Sequence, residues 1–224
     1  MALDGGINFV DTSDSYNEGR SESMIGNYLT NSRRRNNVVL ATKYRSAVGA
    51  GVNDIGASRY HIVRAVEESL RRLRTDRIDL LYCHSWDEET PIEETLCAVD
   101  DLIHQGKVVY AGASNFPAWV LAKSLWASDV RNLYRFEAIQ SVFNILQPGL
   151  GREMIPFAAD HELAVIPYSP LASGMLTGQH GNSGKPIGGS KFGARDDSKG
   201  GGLKSRYFNK ATFNATTELI AISE

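Results

Sequence analysis

The sequence lacks both long hydrophobic runs and a strong net charge. Its longest apolar stretches have the length of a strand, about 4 to 8 residues, whereas a helix that crosses a bilayer needs about 20. The formal net charge is only -2 at pH 7 over 224 residues, so there is no basic surplus of the kind that binds nucleic acid or an anionic membrane. We therefore expect neither a nucleic acid nor a membrane as a partner.

Cysteine is also scarce, and the first residues do not indicate secretion. Cys83 and Cys97 make up the whole cysteine content, form no C-x-x-C pair and fit no metal-binding spacing. Residues 1–6 carry neither a basic start nor an apolar signal region. The sequence therefore predicts two reduced, buried thiols in a cytoplasmic protein, with no metal site.

Two glycine-containing segments do not make nucleotide-binding motifs. Gly49 and Gly51 begin a G-x-G-x-x-G spacing, but Asp54 stands where the third glycine is required. Lys185 is followed by Pro186, whereas a phosphate-binding P-loop needs Ser or Thr at that point. The sequence therefore carries neither a Rossmann fingerprint nor a P-loop.

What is present is a regular alternation of strand-like and helix-like segments. Hydrophobic residues make up 42% and charged residues 22% of the chain, which is typical of one ordinary domain, placed here at residues 1–224. Six apolar runs have the length of a strand, at residues 6–10, 38–42, 78–83, 108–113, 138–143 and 163–166. Strands that alternate with helices predict a parallel sheet with helical crossovers, and therefore an α/β fold.

Helix signals fill the gaps between these runs. Ser58 suits the N-cap of a helix, whose predicted apolar stripe is Ile62, Val63, Val66, Leu70 and Leu73. Its last turn is expected to hold Arg71, Arg72 and Arg74, where the helix dipole favours cations. Pro91 and Pro117 suit the starts of two further helices, the first of which is expected to end at Gly106. Residues 178–202, rich in Gly, Ser, Lys and Asp, predict a long functional or mobile loop.

Residue types that often carry out chemistry stand at the ends of three apolar runs. Asp11, Lys43 and His84 each directly follow such a run, and Tyr16 comes after Asp11 in a short loop. Taken singly, they suit a turn former, a solvated strand end, a satisfied core histidine and a loop aromatic. In a barrel of parallel strands, however, the carboxyl ends of the strands converge at one mouth. The combination therefore predicts a catalytic site.

The sequence around these residues resembles a known family signature. The pattern G-I-N-F-x-D-T-x-x-x-Y at residues 6–16, with A-T-K at 41–43, is similar to the signature of the aldo-keto reductases. The resemblance implies a TIM-type (β/α)8 barrel that reduces an aldehyde or ketone, a small-molecule carbonyl substrate, with NADPH. The implied catalytic residues are Asp11, Tyr16, Lys43 and His84.

The chemistry of carbonyl reduction suits these four side chains. The carbonyl oxygen becomes strongly basic as hydride reaches the carbon, so a general acid must be in place. Tyr16 is the expected acid, because the ammonium of Lys43 would stabilise its phenolate and make the phenol more acidic. Asp11 would keep Lys43 charged and oriented. His84 would donate a hydrogen bond to the carbonyl oxygen and orient the substrate.

The resemblance also implies the cofactor contacts. Ser114, Asn115 and Gln140 would hold the nicotinamide carboxamide, with Asp11 beside them, although Gln140 alone also suits a hydrogen bonder of a barrel interior. Tyr168 would stack on the nicotinamide, although alone it also suits a core aromatic. The residues expected along the pyrophosphate are Ser169, Pro170, Leu171 and Ser173.

One expected phosphate contact differs from the family pattern. Gln179 stands where relatives often carry a phosphate-binding lysine. Lys191 or Arg195, in the long loop, is therefore expected to take that role.

Compared with the whole family, the chain is expected to begin at the end of the first barrel helix and to stop within the seventh. The barrel would then be incomplete, with six strands present and open edges that favour self-association. Two alternatives to an active reductase are a cofactor-binding regulatory subunit without turnover, similar to potassium-channel β subunits, and an inactive truncated reductase. His84 favours an enzyme over the regulatory subunit, whose relatives commonly lack histidine at this site.

Overall fold

Six strands form one sheet, each at or close to one of the predicted apolar runs. The structure is a computed structural model that describes residues 2–180 and 206–223. The strands are β1 (Phe9–Asp11), β2 (Val39–Tyr44), β3 (Ile78–Cys83), β4 (Val108–Ser114), β5 (Phe136–Val142) and β6 (Ala164–Tyr168). They are hydrogen-bonded in chain order, and the pairs from β1 to β5 are all parallel. This order confirms the predicted α/β fold, with six strands of an incomplete (β/α)8 barrel.

A helix follows each of the first five strands, as parallel pairing requires. These helices are α1 (Arg20–Asn31), α2 (Arg59–Leu73), α3 (Ile92–His104), α4 (Ala118–Arg131) and α5 (Met154–Asp160), and α6 (Lys210–Ser223) comes last. Among the residues that the structure describes, no helix is both long and apolar enough to cross a membrane.

The chain divides by its contacts into two units. The first consists of Met1–Ser141 and Met154–Ile166, and the second of Val142–Glu153 and Pro167–Glu224. Each has its own apolar cluster. The cluster of the first unit comprises Ala41, Leu80, Tyr82 and Ala138, with Phe9 and Ile166 packed against it. The assignment of residues 1–224 to a single domain stays a prediction.

The core of the second unit is built around Tyr207. This ring is buried with Ala172 and Met175, and its hydroxyl donates to Oε1 of Gln147 at 2.8 Å. Most of the predicted long loop, residues 181–202, lies outside the described residues.

Helix α2 has the predicted cap and apolar face. The hydroxyl of Ser58 accepts a hydrogen bond from the backbone N–H of His61, and four of the five stripe residues are buried, Val63 being half-buried. One detail of its C-terminal end was wrong. Arg74 is not in the last turn but is the C-cap, with a left-handed φ of 53° that ends the helix.

The starts of α3 and α4 also agree with the sequence signals. Helix α3 begins directly after Pro91 and ends two residues before Gly106. Pro117 is the N-cap of α4 and precedes its first turn. Both cysteines are free thiols, but the expectation that both are buried was wrong for Cys97, which is partly exposed on the amphipathic helix α3.

Helices α1 and α2 approach closely at Gly26 and are joined by a buried ion pair. A Cβ at Gly26 would lie 2.5 Å from the backbone oxygen of Arg72, so only glycine fits there. Nearby, the fully buried Glu22 accepts from Nε of Arg72 at 2.6 Å and from the hydroxyl of Thr42 at 2.6 Å. Because Thr42 lies on β2, this network holds both helices against the strand that carries Lys43.

Candidate active site

The first three strands bring the predicted catalytic residues to one edge of the sheet. Asp11 is the last residue of β1, Lys43 lies one residue before the end of β2, and His84 directly follows β3. The register pairs Lys43 with Tyr82, and the backbone N–H of His84 donates to the oxygen of Tyr44 at 3.0 Å. Since the strands run parallel, their carboxyl ends meet at the same edge.

Lys43 and Asp11 form a close ion pair at this edge. The side chain of Lys43 is 1% exposed, and its Nζ lies 2.5 Å from Oδ2 of Asp11. Nζ also donates to the backbone oxygen of Thr12 at 2.7 Å. Burial lowers the pKa of Lys43, whereas the Asp11 carboxylate opposes that shift. Asp11 therefore stabilises a positive charge that burial alone would disfavour.

The Tyr16 ring lies beside this ammonium group. Nζ of Lys43 is 5.1 Å from the centroid of the ring, within the range of a cation–π contact. The ring also meets the imidazole of His84 edge to face, with centroids 5.8 Å apart. Tyr16 is 42% exposed, so a molecule that enters from solvent can reach it.

His84 is held as a neutral ring by its surroundings. Burial, followed by the charge of Lys43, lowers the pKa of His84 to about 4. Its Nδ1 lies 3.1 Å from the hydroxyl of Ser46 and 3.3 Å from that of Ser13. A neutral imidazole carries one ring proton. If Nδ1 accepts from one of these hydroxyls, Nε2 carries the proton and is a donor; if Nδ1 donates to one of them, Nε2 is an acceptor.

Three predicted carboxamide ligands lie in the same cluster. Gln140 is 4% exposed and donates from Nε2 to Oδ1 of Asp11 at 2.9 Å. Ser114, at the end of β4, pairs in register with Gln140. Asn115 adopts a left-handed φ of 56° and donates from Nδ2 to the backbone oxygen of His84 and to the Ser114 hydroxyl, both at 3.0 Å. The first unit thus brings together seven predicted site residues, namely Asp11, Tyr16, Lys43, His84, Ser114, Asn115 and Gln140.

The remaining predicted contacts fall in the second unit or outside the described residues. Tyr168 ends β6, and burial raises its pKa. The turn that follows it includes Pro170, the half-exposed Leu171, and three left-handed residues, Ser169, Ala172 and Ser173. The hydroxyl oxygen of Ser173 is buried and has no hydrogen-bond partner among the described residues. Lys191 and Arg195 lie outside the described residues.

The sequence interpretation missed several polar groups of this site. Thr12 accepts from Lys43, and Ser13 and Ser46 both contact His84. All three follow the ends of β1 or β2, so the rule that singled out Asp11 and Lys43 also points to them. Across the described ranges, no group of three or more His, Cys, Asp or Glu residues is arranged to hold a metal ion.

Comparison with known proteins decides the family. The sequence model described as "Aldo/keto reductase family" matches residues 1–221. The chain belongs to the aldo-keto reductase family. Its match to that family covers both units and includes every predicted site residue.

Three relatives illustrate the range of names within this aldo-keto reductase group. The "Uncharacterized oxidoreductase YrpG" of Bacillus subtilis is 39% identical over 80% of this chain and 57% of its own length. The "Norsolorinic acid reductase B" of Dothistroma septosporum is 33% identical over 85% of this chain and 50% of its own length. The "Probable voltage-gated potassium channel subunit beta" of Arabidopsis thaliana is 36% identical over 82% of this chain and 56% of its own length. The chain therefore spans about half the length of the curated relatives it matches.

Proposed function

We propose that this protein reduces an aldehyde or ketone to an alcohol with NADPH, and that Tyr16 donates the proton. The observation that carries the proposal is the buried Lys43–Asp11 pair, whose ammonium lies 5.1 Å from the Tyr16 ring. A cation next to a phenol stabilises the phenolate. Burying the charge of Lys43 is costly for stability, so its position beside the solvent-accessible Tyr16 favours a role in the chemistry of Tyr16.

Each residue of the cluster has a defined part in this proposal. Tyr16 gives its hydroxyl proton to the substrate oxygen, since its exposed ring meets an incoming carbonyl. Lys43 makes that transfer easier by stabilising the phenolate left behind. Asp11 holds Lys43 charged and fixes the position of Nζ, and Gln140 in turn fixes Asp11.

His84 acts as a neutral hydrogen-bond donor to the substrate oxygen. With a pKa of about 4 it carries no charge at neutral pH, so it orients the carbonyl without competing with Tyr16 as the acid. This assignment requires the proton to sit on Nε2, because Nδ1 faces Ser13 and Ser46.

The residues present fit a nicotinamide cofactor. Ser114, Asn115 and Gln140 offer one hydroxyl and two amides, the mixture of donors and acceptors that a carboxamide needs. For the second unit, the family resemblance implies that Ser169, Pro170, Leu171 and Ser173 lie along the pyrophosphate and that Tyr168 stacks on the nicotinamide. The buried hydroxyl of Ser173 has no hydrogen-bond partner among the described residues. When bound, the cofactor supplies the hydride. The preference for NADPH, and the part played by Lys191, come from the family resemblance.

A regulatory subunit that binds the cofactor without turnover is the second candidate. It is favoured by the relative from Arabidopsis thaliana whose name describes a potassium channel subunit. The intact set of Asp11, Tyr16, Lys43 and His84 favours the reductase. A cytoplasmic location accords with two free thiols. Self-association through exposed strand edges, at the first and the last strand, stays a prediction.

Steady-state turnover tests the proposed function. The 224-residue chain is incubated with a panel of aliphatic and aromatic aldehydes and ketones, and the oxidation of NADPH is measured. Binding of NADPH is titrated in parallel. The reductase proposal predicts alcohol formed in step with NADPH oxidised. Binding without turnover of any carbonyl would instead support the regulatory subunit.

A further inference from the structure

A buried carboxyl group lies next to the candidate active site and has no part in the chemistry described so far. Asp14 is 2% exposed, and its backbone N–H donates to the backbone oxygen of Lys43 at 3.2 Å. Its Oδ1 accepts from the hydroxyl of Ser13 at 3.1 Å. Its Oδ2 is buried and has no hydrogen-bond partner among the described residues.

The hydroxyl of Ser13 connects this carboxyl group to the ring of His84. Besides Asp14, it contacts Nδ1 of His84 at 3.3 Å and the hydroxyl of Ser15 at 3.0 Å, and it accepts from the backbone N–H of Ser15 at 3.3 Å. A hydroxyl has one proton to donate, so Ser13 cannot donate to Asp14 and to His84 at once. The proton on Ser13 therefore links the state of the carboxyl group to the state of the ring.

Asp14 also borders a cavity whose lining includes neither Ser13 nor His84. The cavity has a volume of about 230 Å³ and is lined by Asp14, Asp54, His61, Arg64, Glu68 and Arg72 among others. His61 has a buried Nε2 without a hydrogen-bond partner in the described part of the chain. A cavity of this size with charged residues in its lining has room for several water molecules, so Asp14 can exchange a proton with solvent by this route.

The charges around Asp14 allow its proton to exchange near neutral pH. Burial, with the Glu22 carboxylate on α1 adding to it, raises the pKa of Asp14 to about 7, against the opposing effects of Ser13, Arg72 and Ser15. Lys43 on β2 also faces it, and the cavity adds Asp54, Arg64 and Glu68. His84 itself is neutral over this pH range, with Lys43, Asp11 and Arg45 as its charged neighbours.

We propose that Asp14, acting through the hydroxyl of Ser13, determines which ring nitrogen of His84 carries the proton. Asp14 is thus a positioning residue for the carbonyl reduction proposed above, on which this role rests. It touches neither substrate nor cofactor.

The two states differ by one proton. When Asp14 is protonated, it donates to Ser13, Ser13 donates to Nδ1 of His84, and the ring proton sits on Nε2, where it can be given in a hydrogen bond to a carbonyl oxygen. When Asp14 is ionised, Ser13 donates to the carboxylate and accepts from Nδ1–H, which leaves Nε2 without a proton. Going from the first state to the second releases one proton to solvent. The hydroxyls of Ser46 and Ser15 can follow either state, because each can act as a donor or as an acceptor, Ser46 towards Nδ1 of His84 and Ser15 towards the Ser13 hydroxyl.

Nitrogen NMR of the histidine rings tests this coupling without any substrate. Protein labelled with ¹⁵N at histidine gives ring nitrogen shifts that distinguish a protonated from an unprotonated nitrogen, and His84→Gln assigns the His84 signals. In the wild type, the share of the Nε2–H form is expected to fall about tenfold for each unit of pH above about 7. In Asp14→Asn, whose amide can donate as the protonated acid does, the share should stay constant across the same range.

Two further variants make the test specific. Asp54→Asn removes another carboxylate of the same cavity that does not contact Ser13, and it should keep the pH dependence of the wild type. Ser13→Ala breaks the connection and should abolish that dependence. A His84 ring whose protonated nitrogen does not change with pH in the wild type would overturn the proposal, as would an unchanged titration in Asp14→Asn.

The pH profile of turnover separates this proposal from the proposed function. The wild-type kcat should fall above about pH 7 as the Nε2–H form is lost, and Asp14→Asn should lack this limb. If no carbonyl is reduced, the proposed function fails, while the NMR titration still decides the role of Asp14.

Discussion

At the scale of single residues, the site depends on one buried cation. Lys43 is 1% exposed and is kept in place by Asp11 and the backbone oxygen of Thr12. An ammonium group buried to this degree loses hydration, and only close oxygen partners offset that cost. Its position beside Tyr16 connects the packing of β2 to the proposed proton transfer.

Replacing this cation should remove activity without removing the tyrosine. In Lys43→Met the phenolate of Tyr16 loses its stabilising charge, so kcat should fall by about 10²-fold or more. The matched control is Lys107→Met, which removes a partly exposed lysine paired with Glu67 and should leave kcat unchanged. Retained activity in Lys43→Met would remove Lys43 from the mechanism.

At the scale of helices and strands, the α1–α2 contact holds β2, the strand that carries Lys43, in place. Glu22 on α1 is fully buried between Arg72 on α2 and Thr42 on β2. The neighbouring ion pair of Arg71 with Glu68 is largely exposed, and Glu68 also lies 3.8 Å from Nη1 of Arg72. A buried charge that loses its partner is costly, whereas an exposed pair contributes little.

This difference predicts unequal effects for two neighbouring arginines. Arg72→Met leaves Glu22 buried without its cation and should lower the free energy of unfolding by about 3 to 5 kcal/mol. Arg71→Met should change it by less than about 1 kcal/mol. Urea unfolding of both variants gives the comparison, and equal effects would show that the buried pair does not stabilise the α1–α2 contact.

The sequence predicted the elements well because their signals are local. The six strands follow from apolar runs, and Ser58, Pro91 and Pro117 mark helix starts at or next to the observed ones. The end of α2 was less accurate, because Arg74 adopts a left-handed conformation more often supplied by glycine or asparagine.

The site was predicted only in part, because part of it depends on contacts between distant segments. Asp11, Lys43 and His84 could be placed from strand ends alone. The contact of Ser46 with His84 arises only when the segments after β2 and β3 come together. Asp14 is buried only when the loop after β1 packs against β2. Single-sequence periodicity carries no information about such loop packing.

At the scale of the whole molecule, the buried carboxyl group of Asp14 connects stability to pH. Its pKa is raised from 3.8 to about 7, so the folded protein keeps a proton that the unfolded chain releases. The contribution of this bound proton to the free energy of unfolding is fully present below pH 3.8 and is lost as pH rises to about 7. Over that window the wild type loses up to about 4 kcal/mol from this group, at 1.36 kcal/mol per pKa unit.

Asp14→Asn should therefore gain stability relative to the wild type as pH rises. The difference in free energy of unfolding between the two should grow between about pH 4 and pH 7 and then level off. Urea unfolding at several pH values measures it, with Asp76→Asn, which alters a carboxylate that is 91% exposed, as the control. A difference that does not vary with pH would show that Asp14 is ionised throughout.

The central claim is that Tyr16 gives the proton in an NADPH-dependent carbonyl reduction. The most direct test compares wild type and Tyr16→Phe in two measurements, kcat with the best aldehyde of the panel and Kd for NADPH by fluorescence titration. The account predicts that kcat falls by about 10²- to 10⁴-fold, because only the proton donor is lost, while Kd changes by no more than about twofold. A phenylalanine variant that reduces the aldehyde at the wild-type rate would contradict it.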